Sequence, residues 1–221
     1  MVGDYHLNER LIIVAAGNKD TDNAIVEEMS SALASRLTHL YSEVSKDDWL
    51  DWAVRNGIHP KITSFINFKP GCLYTFSPES DDADTYACPR TWEMVSKILQ
   101  QTTGDITKVE KALLQGTLGS GTAQEFLAYL RLFTRLPDMK TLLANPSTAK
   151  LPEEPGVLYA LTGSLASIAN KTTADAVVTV INRLPAEYQI VTLVDVAKRD
   201  PSMFSHPAIA EWATTTGQKY F

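Results

Sequence analysis

The sequence predicts a mainly α-helical protein that begins with two short strands of an α/β region. Three observations support this fold class. An apolar run with β-branched residues fills residues 11–16, helical periodicity dominates from residue 91 onward, and four prolines lie between residues 137 and 155. The sequence therefore predicts three regions, namely an α/β region at residues 1–45, a helical region at 46–136 and a second helical region at 137–221.

The composition is that of a folded chain with a sizeable core. Of its 221 residues, 44% are hydrophobic and 21% are charged. No apolar run approaches the roughly 20 residues that span a bilayer, and no signal peptide is recognisable. We therefore expect a cytoplasmic protein without a membrane partner. The net charge is −6, with the acidic excess in the first hundred residues, so nucleic-acid binding is not indicated.

The cysteines do not predict a metal site or a disulfide framework. Cys72 and Cys88 are the only two, and no CxxC motif or Cys/His cluster accompanies them. We expect both to be reduced packing residues. A hydrolase that uses His39 or Cys88 has little support, because no nucleophile, base and orienting acid are grouped in a motif.

The first predicted strand, residues 11–16, ends at Gly17 and Asn18. A continuous apolar run is typical of a strand buried on both faces of a parallel sheet, and α/β proteins bind ligands where such strands end. Gly17 lets backbone approach a ligand closely, and the Asn18 carboxamide can orient a water or a phosphate oxygen. The alternative is an ordinary turn after the strand.

The next elements predicted are a helix at residues 22–36, a second strand at 38–44 and a helix at 46–56. Ser45 is the predicted N-cap of the last of these, and Gly57 marks its end. Its residues Trp49, Trp52 and Ala53 share one face, for which a structural stripe is favoured over a ligand platform.

The rest of the chain is predicted to be helical after a short apolar segment and an exposed acidic loop. The apolar segment is ITSFINF, between Pro60 and Pro70, and the loop is SPESDDADTYACP. Residues 137–155 are predicted to be a surface linker. The predicted helical segments are residues 91–101, 106–116, 122–136, 157–170, 173–184, 186–200 and 206–217.

Two stretches resemble nucleotide-binding motifs only superficially. GTLGSG has the glycines of a P-loop, but no lysine follows its last glycine, so a helix junction with Thr122 near the next N-cap is favoured. IVTLVDVA is an apolar run that ends near an aspartate, as in magnesium-binding strands. Val196 follows Asp195 where those strands carry a glutamate, so core packing is favoured.

Three short stretches occur in the order VAAGN, ALASRLTHL and ACPRTWEMVSKIL. Together they resemble the second half of an AAA+ ATPase module, closest to the MoxR-like ATPases and related ATPases of phages and prophages. The resemblance extends from Val2 to Leu136. It implies that residues 1–45 are the end of an AAA+ α/β core and that residues 46–136 are its helical lid.

The resemblance also implies roles for three residues. Asn18 matches sensor 1, which positions the attacking water, Arg36 matches the arginine finger, and Arg90 matches sensor 2 of the lid. Phosphoryl transfer needs positioned water and fixed positive charge at phosphate oxygens, which suits these residue types. Simpler alternatives are that Arg36 caps the carbonyls of a helix C-terminus and that Arg90 is a surface residue at a helix start.

The sequence departs from this family because it has no Walker A loop and no Walker B Asp-Glu pair. ATP and Mg²⁺ are therefore expected for the complete family module and not for this chain alone. Three origins of Met1 stay open, namely an internal start, a gene-fragment boundary and a truncated reading frame. We expect that a missing N-terminal ATPase half or a homo-oligomer is a partner, and that a protein substrate or a cofactor protein is another. The alternative is a catalytically silent helical protein-interaction module, with a contact surface around Trp49, Trp52 and Phe126.

Overall fold

The computed structural model describes residues 8, 10–18, 29–78 and 85–215. These residues are mainly α-helical and contain no β-strand, which confirms the mainly α fold class. The chain divides into two units, one formed by Met1–Ser42 with Ser77–Asp81 and the other by Glu43–Phe76 with Asp82–Phe221.

The two predicted strands are wrong. Residues 11–16 form no regular element, and Ile12 and Val14 are 89% and 86% exposed. Residues 38–44 are likewise irregular, with Leu40 exposed. A strand exists only where a neighbouring strand accepts and donates its backbone hydrogen bonds, and the described residues provide none. The β-branched composition indicated a strand, but it does not create the missing neighbour.

The helix predicted at residues 22–36 lies in part outside the described residues, which omit 19–28. Its described part contains α1, Ser31–Ala34. Ser30 is the N-cap of α1, and its hydroxyl accepts a hydrogen bond from the Leu33 amide.

The second unit is built from helices joined by short connections. Its 3₁₀ turns are Pro70–Cys72, Phe133–Arg135 and Pro201–Ser205. Each predicted helical segment from residue 91 onward overlaps an observed helix, with bounds that differ by a few residues, which confirms those predictions as helices. The α-helices are α2 (Lys46–Arg55), α3 (Pro60–Phe68), α4 (Pro89–Gln101), α5 (Lys108–Leu118), α6 (Ser120–Leu132), α7 (Met139–Ala144), α8 (Pro155–Ile168), α9 (Ala174–Ile181), α10 (Ala186–Arg199) and α11 (Pro207–Thr215).

Capping residues explain where several helices begin and end. Ser45 caps α2, as predicted, because its hydroxyl accepts from the Asp48 amide at 3.2 Å. Gly57 follows α2 with a φ of 68°, a conformation that glycine adopts without strain. Gly119, with a φ of 79°, separates α5 from α6 and is the N-cap of α6. GTLGSG is therefore a helix junction, as predicted, and Thr122 lies in the first turn of α6, near its N-cap.

Helices α2 to α6 enclose an aromatic core. Phe65 of α3 lies at its centre, with ring-centroid distances of 5.6 Å to Trp92, 5.1 Å to Phe126 and 5.2 Å to Tyr129. The Trp92 indole donates a hydrogen bond to the Cys72 carbonyl at 2.9 Å. These tilted contacts are the geometry that aromatic side chains prefer, and they fix how α3, α4 and α6 pack.

Helices α7 to α11 enclose a second hydrophobic cluster, which meets the first at α8. α8 packs on both α3 and α10, and its residue Tyr159 borders both clusters, as does Leu136. A Cβ added at Gly163 would lie 2.7 Å from the Ser64 Cβ, so α8 and α3 cross at a distance that only glycine permits. α7 lies within the predicted linker, and Leu142 of α7 is buried, so that segment is not a mere surface connection.

The region boundaries at 45/46 and 136/137 stay predictions. The two clusters share their border residues and α8 contributes Ala160 to the first and Leu161 to the second. Residues on both sides of 136/137 therefore contribute to one continuous packing arrangement.

Candidate functional site

Asn18, the predicted sensor 1, is exposed and follows an irregular segment of the first unit. A Cβ added at the preceding Gly17 would meet no atom within 4 Å, so no close approach of backbone requires that glycine. The expectation that Asn18 lies at the tip of a buried strand is wrong for the described residues. Its role in orienting water stays a prediction that depends on a strand partner.

Arg36, the predicted arginine finger, follows α1 in the same unit and is exposed. Its guanidinium donates a hydrogen bond to the Ala32 carbonyl, and its amide donates to the Leu33 carbonyl at 3.0 Å. The His39 ring lies 3.1 Å from the Ala34 carbonyl. Arg36 thus makes the helix-capping contacts that were the simpler alternative. That hydrogen bond uses one amino group of the guanidinium, so its other N–H groups are left to donate to a phosphate.

Arg90, the predicted sensor 2, is the second residue of α4, directly after Pro89. Cys88 is the N-cap, and its amide donates to the Thr91 hydroxyl at 2.8 Å, which fixes the first turn of α4. The Arg90 side chain is exposed, and no carboxylate of the described residues pairs with it. Among the described residues its charge is therefore uncompensated, at a helix end that favours anions.

The predicted interaction surface around Trp49, Trp52 and Phe126 is wrong for two of its three residues. Trp49 and Phe126 belong to the buried aromatic core, whereas Trp52 is 41% exposed. The prediction of a shared face correctly placed Trp49 and Ala53 on the buried face of α2. Trp52 lies at the edge of that face and carries only part of the expected surface.

A cleft of about 160 Å³ opens between α2, α3 and α10 in the second unit. Leu50, Val54 and Val194 give it an apolar wall, and Asn67 and Lys198 contribute polar groups. Sites for drug-sized ligands measure roughly 300–1,000 Å³, so this cleft is too small for a nucleotide. Its Lys198 instead pairs with Asp51, which connects α10 with α2.

The Asp195–Arg199 pair beside this cleft is the most buried ion pair of the described residues. Both belong to α10, where the Arg199 Nε lies 3.0 Å from one Asp195 oxygen and an Arg199 amino group donates to the other at 3.2 Å. Burial raises the pKa of Asp195, and the neighbouring Arg199 and Lys198 oppose that rise. Lys198 pairs with Asp51 of α2, so charges of α10 also connect the two helices.

A second polar cluster joins Lys69, Cys72 and Glu125. One Glu125 oxygen accepts from the Lys69 ammonium at 2.8 Å and from the Cys72 thiol at 3.2 Å. Burial raises the pKa of Cys72 to about 12, with the Glu125 carboxylate adding to the rise. Because the thiolate is the nucleophile, Cys72 is unreactive near neutral pH, which agrees with its prediction as a packing residue.

The sequence pattern indicates the Asp195–Arg199 pair but does not indicate the Glu125 cluster. Asp and Arg four residues apart on a helix lie on one face. Lys69 and Glu125 are 56 residues apart, so only the packing of α6 near the end of α3 brings them together. Both cysteines are free within the described ranges.

Two further features are absent from the described residues, namely a metal-binding group and a membrane-spanning helix. No group of three or more His, Cys, Asp or Glu side chains there could hold a metal ion. None of the helices described has both the length and the hydropathy to cross a membrane. Comparison of the chain with protein-family models, curated proteins and solved structures finds no match.

Proposed function

We propose that this chain is the sensor-and-lid portion of an AAA+ ATPase similar to the MoxR-like ATPases. In that family, ATP hydrolysis within a ring of subunits drives the remodelling of a protein. The proposal rests on the order of the three motifs that contain Asn18, Arg36 and Arg90. The helical character of the residues after 45 is compatible with a lid region.

The charge of Arg90, with which no carboxylate of the described residues pairs, is the observation that carries the proposal. A cation in the first turn of α4 opposes the helix dipole, and no described carboxylate offsets this cost. A bound phosphate would satisfy both the guanidinium and the dipole. The exposure of Arg90 leaves its side chain accessible to such an anion.

The P-loop that the proposal needs must come from outside the printed sequence. No Gly-Lys-Thr or Gly-Lys-Ser occurs in it, so it lacks the lysine and the hydroxyl that bind phosphate and magnesium. The exposed apolar run at residues 11–16 would then become a strand by pairing with the sheet that carries the P-loop. That pairing would place Asn18 at a strand end.

The test begins with calorimetry of the purified chain. We expect Mg-ATP to bind weakly or not at all, because the phosphate cradle is absent. Tight binding by the chain alone would contradict the need for an outside P-loop. The DNA upstream of the Met1 codon is the first place to look for an in-frame Gly-Lys-Thr or Gly-Lys-Ser loop followed by an Asp-Glu pair.

The decisive variants are made in an assembly with the polypeptide that carries the P-loop. We expect Arg90→Ala to weaken nucleotide binding and hydrolysis. We expect Arg36→Ala to leave binding nearly intact but to lower hydrolysis, by a factor of about 10³ to 10⁵ for an arginine finger. Mixing Arg36→Ala subunits with Walker-defective subunits should restore some activity. The matched control is Arg55→Ala, an exposed arginine at the end of α2 that should change neither quantity.

The second candidate is a helical protein-interaction module without catalysis. The exposure of Ile12, Ile13 and Val14 favours it, because consecutive exposed apolar residues are typical of interaction sites. Pull-down of a partner separates the two candidates. Dependence on nucleotide and on Arg36 supports the ATPase, whereas binding that is indifferent to both supports the module.

A further inference from the structure

Helix α5 exposes a continuous apolar stripe. Val109, Ala112, Leu113 and Gly116 are spaced so that they share one face of the helix, and all four are exposed, Val109 by 69% and Leu113 by 48%. The opposite face, with Leu114 and Leu118, packs in the aromatic core. α5 is therefore apolar on two faces, only one of which is covered within the described chain.

Gly116 is unusual within this stripe because nothing in the described chain requires a glycine there. No atom outside the helix's own backbone lies within 4 Å of the position that a Cβ would take. Glycine inside a helix lowers helix stability relative to alanine. Because it has no Cβ, Gly116 permits close approach by another backbone.

We propose that the stripe is a contact between two copies of this chain, in which α5 packs antiparallel to α5 of the second copy. A two-fold axis between Ala112 and Leu113 would place Val109 of each copy on Gly116 of the other. It would also place each Leu113 on an Ala112. Each large side chain thus meets a small residue, as knobs-into-holes packing requires. A parallel pair would instead oppose the two Val109 side chains and leave a gap at Gly116.

Charge complementarity also favours the antiparallel arrangement. It sets the positive N-terminal end of each α5 beside the negative C-terminal end of the other. Lys108 lies in the first turn, where its charge opposes the dipole of its own helix, and it has no ion pair among the described residues. In the pair, Lys108 would lie beside the last turn of the second α5, whose carbonyl groups favour a cation.

The size of the stripe predicts a weak dimer. Stable interfaces bury about 800 Å² on each partner, more than four residues of one helix face can supply. The dimer should therefore form at high chain concentration and dissociate on dilution. This proposal does not depend on nucleotide or on the proposed ATPase function.

The test is sedimentation equilibrium of the full chain at concentrations up to about 1 mM, the upper range of weak affinities. We expect Gly116→Leu to weaken association at least about tenfold, because the new side chain would collide with Val109 of the second copy. The size swap that combines Val109→Ala with Gly116→Leu should recover most of that loss. Gly116→Ala should raise the melting temperature and still weaken the dimer.

Leu113→Gln is a second variant for the same test. It removes apolar surface from the stripe without adding a side chain at position 116, and it too should weaken the dimer. Phe204→Gln is the matched control, because it removes an exposed apolar side chain elsewhere in the second unit and should leave association unchanged. A chain that stays monomeric at every concentration would overturn the proposal. So would a dimer that is indifferent to both Gly116→Leu and Leu113→Gln.

Discussion

Asp195 and Arg199 form a buried pair whose two charges depend on each other. Their side chains are 12% and 21% exposed, so water can compensate neither charge well. A paired charge in such surroundings adds little net stability, but removing one partner leaves the other desolvated and alone. Removing one partner should therefore change the stability of the fold more than the intact pair contributes to it.

We expect Arg199→Met to lower the free energy of unfolding by about 3–5 kcal/mol at neutral pH, because the Asp195 carboxylate would stay buried without its cation. Chemical denaturation measures this change. Lys97→Met is the control, since Lys97 pairs with Glu93 on the surface of α4 and such pairs contribute about 0.3–0.5 kcal/mol. Equal effects of the two substitutions would contradict this account of Asp195.

Sequence reasoning at single residues succeeded where the partner is local. The Ser45 cap depends on an amide three residues away, and the capping alternative for Arg36 depends on a carbonyl four residues away. It failed where exposure depends on distant packing, as for Phe126, which contacts residues of α3 and α4. A pattern along one helix cannot specify which of its edges a neighbouring helix covers.

At the scale of an element, α3 begins with a histidine cap that can be switched by protonation. The His59 ring accepts a hydrogen bond from the Lys61 amide at 3.2 Å through Nδ1, which requires an unprotonated nitrogen. Burial lowers the pKa of His59 below its usual 6.5, and the positive charges of Lys61 and Arg199 lower it further. Protonation would therefore remove the cap and add a third cation to that group.

The expected consequence is a loss of stability as the pH falls through about 6.5, the pKa of the unfolded chain. Below that value the unfolded state binds a proton more readily than the folded state, so the free energy of unfolding decreases. His59→Asn should remove this contribution, because asparagine caps without titrating. Denaturation at pH 5 and pH 8 measures both proteins. An unchanged pH dependence in the variant would contradict the role of His59.

Helices were predicted better than strands because a helix satisfies its hydrogen bonds within its own segment. The capping box of Thr107 and Glu110 and the apolar periodicity of α4 are local information. A strand at residues 11–16 needs a partner strand, which no local pattern provides. Asn18 was predicted at the end of that strand by the same reasoning, so its predicted position is wrong for the same reason.

For the second unit as a whole, the two hydrophobic clusters meet along α8. Because α8 packs on α3 and on α10, separating the clusters would expose apolar surface on both sides. We therefore expect them to unfold in one transition, in spite of the predicted boundary at 136/137.

The indole protons of Trp92 and Trp212 show whether the two clusters unfold in one transition. Each donates a hydrogen bond inside a different cluster, Trp92 to the Cys72 carbonyl and Trp212 to the Gln189 side chain. Their NMR signals, followed through a urea titration, should disappear with the same midpoint. Separate midpoints would show that the helices on either side of residue 137 unfold independently.

The close crossing of α8 and α3 has a consequence for how this chain can diverge. At Gly156, an added Cβ would meet the tip of the Leu132 side chain, which can turn to another rotamer. At Gly163 it would meet the Ser64 Cβ, which moves only with the backbone of α3. The two glycines of α8 therefore differ in the substitutions they tolerate. Gly156, near the beginning of the helix, can be replaced by a small residue. Gly163, in its middle, must stay glycine as long as the backbone of α3 does not move.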